Sequence, residues 1–206
     1  VRNLHHWSGN LMVVVGVLHL LREGARVEHV PAALVAEAAD RRPTLGEYLE
    51  HLVERGVSPN VTSFVGNATV RKYVIGEDDR RATPEEMERM RGLVRQAMEE
   101  GALGVGATAG YMPTGLTTRE IDGAMKLVAK YGGVMGLHGR YSSQMPPQSG
   151  VLGTSEALAA LAAHGGALIV QHMTAQCLAL TYACQELIDE AAKKGHKVVS
   201  EIYAYT

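Results

Sequence analysis

Four short apolar runs recur at nearly equal intervals in the second half of this 206-residue chain. Their starts lie about 30 to 33 residues apart, which is the length of one strand followed by one helix. The runs are apolar throughout rather than alternating, as is typical of parallel strands that are covered on both faces. They comprise residues 102–108, 134–138, 167–172 and 197–201. The pattern therefore predicts repeated strand–helix units in one parallel sheet.

The stretches between the runs carry helix signals. Thr83, Pro84 and Glu86 form a capping box with proline at the first helical position, and Thr117 with Glu120 forms a second box. Apolar residues then recur at steps of three and four, which predicts helices over 45–55, from Pro84 to Gly101, from Thr118 to Gly132, over 155–164 and over 179–194. We interpret 61–65 as a weak strand and 66–82 as a loop with one helical turn near 69–74.

These features predict an α/β fold. An open doubly wound sheet and a (β/α) barrel both satisfy the pattern, and polar residues at several strand ends favour the barrel. We assign residues 45–206 to the barrel and leave residues 1–44 as an N-terminal segment with little pattern. Within it, the apolar run 11–21 is too short to span a bilayer, so we expect a buried strand or helix. The first residue is Val1 rather than methionine, which suggests a piece of a longer or processed chain.

Charge and cysteine content exclude some classes of function. The formal net charge is −2, the isoelectric point is about 6.5 and the basic residues are scattered, so we expect no nucleic-acid partner. Cys177 and Cys184 fit no metal or redox spacing. We interpret them as buried thiols of a cytoplasmic protein, with no membrane partner.

Three residues that can do chemistry end successive runs: His138, His172 and Glu201. Because the carboxyl ends of parallel strands meet at one edge, we expect the three side chains to lie close together. Imidazole and carboxylate are ligands of catalytic zinc. The alternatives are a histidine satisfied by backbone hydrogen bonds, and a Glu201 carboxylate paired with Arg140 or a lysine.

Tyr111 and Arg140 are the candidates for substrate binding. Tyr111 lies in the loop after the first of the four runs, and Arg140 follows His138 by two residues. Either side chain could hold an anionic group of a substrate, the arginine through a bidentate pair. Surface residues would give the same pattern, so both interpretations stay open here.

Several segments together resemble the N-acyl-D-amino-acid deacylase (D-aminoacylase) branch of the amidohydrolase superfamily. The resemblance implies a partial TIM barrel of the metal-dependent hydrolase type, comprising about strands three to six. It also implies that the barrel binds one or two zinc ions and cleaves the carbon–nitrogen amide bond of small N-acylated D-amino acids. It matches His172 to a metal-binding histidine and Glu201 to the acidic position of an Asp-x-Tyr-Pro-Tyr motif. It also matches Tyr111 to a carboxylate-binding tyrosine, and His138 with Arg140 to a Thr-His-x-Arg stretch. The segments are 99–106, 110–112, 117–120, 171–172 and 201–205.

The chain also departs from that family pattern. We find no His-x-His pair and no Gly-Asn-Cys-Gly segment, and the aspartate of the eighth strand would lie beyond Thr206. Thr174 stands where a lysine is expected, and Ala204 where a proline is expected. The expected state is therefore the middle of a barrel without its ends.

Two other functions remain open. The chain could be a non-catalytic truncated barrel that folds by pairing its exposed edges with another chain, including a homo-oligomer of itself. It could also be a lyase or isomerase barrel that uses Glu201 and His172 as acid and base without a metal.

Overall fold

The structure is a computed structural model and describes residues 44–56, 61–112, 115–141, 145 and 148–202. The expectations for residues 11–21, and for the N-terminal segment before Thr44, lie outside the described residues. The helices are α1 Leu45–Arg55, α2 Asn67–Ile75, α3 Pro84–Glu99, α4 Thr118–Lys130, α5 Gly150–His164, α6 Met173–Cys177 and α7 Thr181–Lys193. The strands are β1 Phe64–Gly66, β2 Gly104–Thr108, β3 Val134–His138, β4 Ala167–Val170 and β5 Lys197–Ser200.

The five strands form one parallel sheet in the order β1-β2-β3-β4-β5, so each strand pairs with its neighbour in sequence. The strand order never reverses among the described residues, which rules out a doubly wound arrangement for this sheet. Right-handed crossovers that all advance in one direction bring the connecting helices to the same face. The sheet is therefore an arc of a (β/α) barrel, with an outer face toward the helices and an inner face.

The outer face of the sheet holds the core. Val105, Met135, Leu168 and Val198 stand side by side in register on four strands, and all are buried in one cluster with the helices. Burying an aliphatic side chain of this size contributes about 1.5–3 kcal/mol relative to exposure. This row fixes the register, because a slip by one residue would turn it to the inner face.

Three of the five predicted helices begin where the sequence indicates. Helices α1, α3 and α4 begin at the expected residues, and the Thr83 hydroxyl accepts a hydrogen bond from the Glu86 N–H at 3.2 Å. The helical turn predicted near 69–74 is present but is longer than expected, because Asn67–Ile75 is a helix that begins directly after β1 and buries Val70. Helix α5 begins at Gly150 rather than near residue 155, since its first turn packs against Cys177 of α6.

The structure corrects two expectations about the strands and bears out a third. Strand β4 ends at Val170 rather than at residue 172, and a short helix, α6, follows His172. The weak strand near 61–65 is present as Phe64–Gly66 and pairs with β2. The sheet is not covered on both faces throughout, because the β5 side chain of Val199 is 58% exposed.

Both cysteines are buried, as predicted. Burial, and then hydrogen bonding to Cys184, raise the pKa of the Cys177 thiol to about 12. Cys177 is therefore protonated and unreactive at neutral pH. None of the described helices is both long and apolar enough to cross a bilayer.

A buried ion pair joins α2 to α4. Arg71 Nη1 lies 2.6 and 2.7 Å from the two carboxylate oxygens of Glu120, and the two side chains are only 2% and 3% exposed. Arg71 Nη2 also donates to the Arg80 carbonyl at 2.6 Å. The guanidinium thus ties two helices and a loop together.

Replacement of Glu120 by glutamine should lower the free energy of unfolding by about 3 kcal/mol or more, because Arg71 stays charged in a buried site without its counter-ion. Urea titration measures the loss. The double change Arg71→Met with Glu120→Leu should recover most of it, since it removes both buried charges. Lys193→Met, in an exposed pair with Glu190, is the control and should cost far less. Equal losses for Glu120→Gln and Lys193→Met would contradict this account.

Candidate active site

Four of the five predicted site residues meet at the carboxyl ends of the strands. Tyr111 follows β2 on a 3-10 turn, His138 ends β3, His172 follows β4 and Glu201 follows β5. The rings of Tyr111 and His138 stack with centroids 4.7 Å apart and 12° between their planes. The His172 ring meets His138 edge-on at 5.4 Å, and its Nδ1 lies 3.2 Å from Glu201 Oε1. The four side chains form one continuous contact chain across the mouth.

Glycine at position 110 allows the turn after β2 to approach His138. A Cβ on Gly110 would lie 2.8 Å from His138 Cδ2 and 2.7 Å from the Gly139 carbonyl oxygen. Any side chain here would push the imidazole away. The Gly110 backbone and the Tyr111 ring therefore enclose His138, while Tyr111 itself is 71% exposed at the rim.

His138 lies in an environment that disfavours its charged form. Burial, and then the nearby His172, lower the pKa of the His138 imidazole. His138 is therefore neutral at neutral pH, which is the form of imidazole that accepts a proton or binds a metal.

His172 has an unusual backbone conformation. Its φ and ψ are 52° and 39°, in the left-handed region, at the junction between β4 and α6. The junction is held by hydrogen bonds from Met173 N to the Glu201 carbonyl and from Gln176 N to the His172 carbonyl, both 2.9 Å. A non-glycine residue held in this region marks strain that surrounding contacts must maintain. The Nδ1 atom of the ring lies beside Glu201 Oε1.

Arg140 lies apart from the other four residues. Its side chain is 5% exposed and its Nε is 2.7 Å from Glu156 Oε2 on α5. The alternative pairing of Glu201 with Arg140 is thus not observed, since Glu201 contacts His172 and Arg140 contacts Glu156. A role of Arg140 in substrate binding stays a prediction.

Gln171 is a candidate that the sequence analysis missed. Leu137, Val170 and Ser200 are in register, so the residues that follow them, His138, Gln171 and Glu201, share a row on the inner face. The Gln171 side chain is buried and extends over Gly136, where a Cβ would lie 3.2 Å from its Nε2. Counting alternate residues from Ala167 through Ile169 would have identified it.

Among the residues that the structure describes, no group of three or more His, Cys, Asp or Glu side chains could hold a metal ion. His172 and Glu201 are in contact and His138 adjoins His172, so nitrogen and oxygen donors of the kind that zinc prefers are present. Their arrangement in this part of the chain does not make a complete site.

Comparison with known proteins finds similar sequences and similar solved structures. No family model matches the chain. Over 112 residues, 53% of this chain and 23% of the relative, it is 33% identical to the D-aminoacylase of Alcaligenes xylosoxydans xylosoxydans. The chain is thus similar in sequence to part of a D-aminoacylase. A second such relative, the N-acyl-D-aspartate deacylase of the same organism, is 32% identical over 100 residues, 48% of this chain and 20% of that one.

Solved D-aminoacylase structures share the fold. The N-acyl-D-glutamate deacylase from Bordetella bronchiseptica, with zinc and a phosphonate inhibitor, superposes with a TM-score of 0.68 at 24% identity, over 84% of this chain and 37% of that one. A D-aminoacylase that defines a subset of amidohydrolases gives 0.67 at 24% identity, over 86% and 38%. The predicted partial (β/α) barrel fold is confirmed, and the chain spans well under half of the length of these proteins.

The left-handed backbone at His172 gives a stability test. His172→Gly should be more stable than His172→Ala by about 1 kcal/mol, because the left-handed conformation is unfavourable for alanine and not for glycine. Urea unfolding measures both variants. At the exposed mid-helix position Lys126 the order should invert, with glycine about 1 kcal/mol less stable than alanine. The same order at both positions would contradict the conformation assigned to His172.

The lowered pKa of His138 predicts the direction of a pH effect. The unfolded chain binds more protons at this histidine than the folded chain does, so the free energy of unfolding should fall as pH drops from about 7.5 to 5.5. In His138→Asn that fall should be smaller. Urea midpoints at several pH values measure both slopes, and NMR titration of His138 checks the pKa directly. Identical slopes in the two proteins would contradict the assignment.

Proposed function

We propose that this chain forms the central part of the catalytic barrel of a deacylase that hydrolyses the amide bond of N-acylated D-amino acids. The observation that carries the proposal is the contact chain from Tyr111 through His138 and His172 to Glu201 at the barrel mouth. The relationship to D-aminoacylase and to N-acyl-D-aspartate deacylase supports the reaction and the substrate class.

Each side chain has a role in this proposal that follows from its position. The exposed Tyr111 hydroxyl binds the carboxylate of the substrate at the rim. Glu201 orients the His172 imidazole through Nδ1, as second partners of catalytic histidines commonly do. His138, neutral and enclosed, faces the same space as a further nitrogen donor.

We also propose zinc, one or two ions, as the cofactor, with His138, His172 and Glu201 contributing donors. The Bordetella bronchiseptica deacylase contains zinc, and the donor types here are those that zinc takes. The described residues do not complete the coordination, so any remaining donors come from outside them.

Arg140 takes a structural place in this proposal. Its Nε donates to Glu156, and Glu156 also accepts a hydrogen bond from Thr118 of α4. Arg140 thus joins the loop after β3 to two helices. A substrate-binding role of Arg140 would use the guanidinium nitrogens other than Nε.

A second candidate is a non-catalytic barrel segment that associates with another chain, including a second copy of itself. The observation that favours it is apolar exposure at the last strand, where Val199 is 58% and Ile202 60% exposed. A sheet edge of this kind readily pairs with another chain. The cytoplasmic location stays a prediction.

Hydrolysis of an N-acetyl-D-amino acid panel tests the first candidate. With zinc added, the chain should release free D-amino acids and leave the L-enantiomers intact, and His172→Asn should lower the rate by about 100-fold or more. Asparagine tolerates the left-handed backbone, so this variant removes the imidazole without new strain. Chromatographic detection of the free amino acid measures turnover.

The control is His164→Asn, which removes a histidine that pairs with Asp122 between α4 and α5, away from the mouth. It should leave the rate unchanged. Equal rates in His172→Asn and the unaltered chain would contradict the assigned role of His172. No turnover, together with dimers in light scattering, would favour the second candidate instead.

A further inference from the structure

One buried glutamine contacts both of the segments that carry the site histidines. Gln176 of α6 is 1% exposed. Its Oε1 accepts a hydrogen bond from the N–H of Gly139, the residue after His138, at 3.2 Å. Its own backbone N–H donates to the carbonyl of His172 at 2.9 Å. A single residue therefore links the end of β3 to the turn after β4.

The packing around this amide is tight. A Cβ on Gly139 would overlap Gln176 Nε2, so only glycine lets the loop after His138 approach the amide. On the other side, Cys177 adjoins the first turn of α5. The amide is thus wedged between the loop after β3 and the helices behind it.

An amide at this position destabilises the folded state. Its Nε2 is buried and has no hydrogen-bond partner within the described part of the chain. A buried donor without a partner destabilises the folded state, and an apolar side chain of similar length would avoid that cost. Methionine would fill the site, but it could not accept the Gly139 hydrogen bond.

We propose that Gln176 is a positioning residue that sets the separation of His138 and His172 through its hydrogen bond to Gly139. The positioning follows from the contacts of Gln176, and its consequence for catalysis rests on the proposed deacylase function. In that function, loss of the hydrogen bond should lower kcat/KM by about 10- to 100-fold, as loss of outer partners of catalytic histidines commonly does.

Three variants test the proposal: Gln176→Met, which removes the acceptor; Gln176→Glu, which keeps an oxygen for Gly139; and Gly139→Ala, which displaces the amide from the opposite side. The primary readout is the nuclear Overhauser effect between the ring protons of His138 and His172, whose centroids are 5.4 Å apart. Thermal midpoint and kcat/KM are measured on the same samples. Gln96→Met, an exposed glutamine on α3, is the matched control.

We expect Gln176→Met and Gly139→Ala to lose the ring-to-ring signal, and Gln176→Glu and Gln96→Met to retain it. Gln176→Met should leave the thermal midpoint nearly unchanged, because it removes the unpartnered Nε2 donor but leaves the buried Gly139 N–H without this acceptor. Loss of an amide that only supports the core would lower the midpoint. The proposal would be overturned if Gln176→Met retained the ring-to-ring signal, or if this variant failed to fold. Absence of hydrolysis in the unaltered chain would count against the deacylase function alone, because the ring-to-ring signal needs no turnover.

Discussion

The register of five parallel strands is the constraint on which the site depends. Val105, Met135, Leu168 and Val198 form one buried row against the helices, and each strand can satisfy it in only one register. Once the row is fixed, the residues at the strand ends are fixed too. A helix-facing core thus aligns the polar groups at the carboxyl ends of the strands.

The backbone conformation at two positions also determines the geometry of the site. Gly110 approaches His138 closely, and His172 is held with a left-handed backbone between β4 and α6. The strained turn brings the His172 ring against both His138 and Glu201, on the strands to either side. Three strands therefore meet through one imidazole, and the proposed chemistry depends on how firmly that turn is held.

Local patterns predicted much of this structure, and long-range pairing explains what they missed. The starts of α1, α3 and α4 and the bounds of β3 follow from capping residues, apolar periodicity and glycine. Convergence of His138 with Glu201 follows from the strand period. The pairing of Arg140 with Glu156 does not, because many carboxylates could have been its partner. Nor does the turn at His172, since the sequence offers no glycine there to mark it.

The ion pair between Arg71 and Glu120 also determines which strand–helix units of the fold could be exchanged or lost. Arg71 belongs to the β1–α2 unit and Glu120 to the helix after β2, so one buried ion pair joins the two units. A strand–helix unit with a purely apolar boundary could be exchanged or lost and replaced by any well-packed neighbour. This boundary accepts only a neighbour that carries the opposite charge at the matching position. The β1–α2 unit is therefore an inseparable part of the barrel segment, although it contributes no side chain to the contact chain at the mouth.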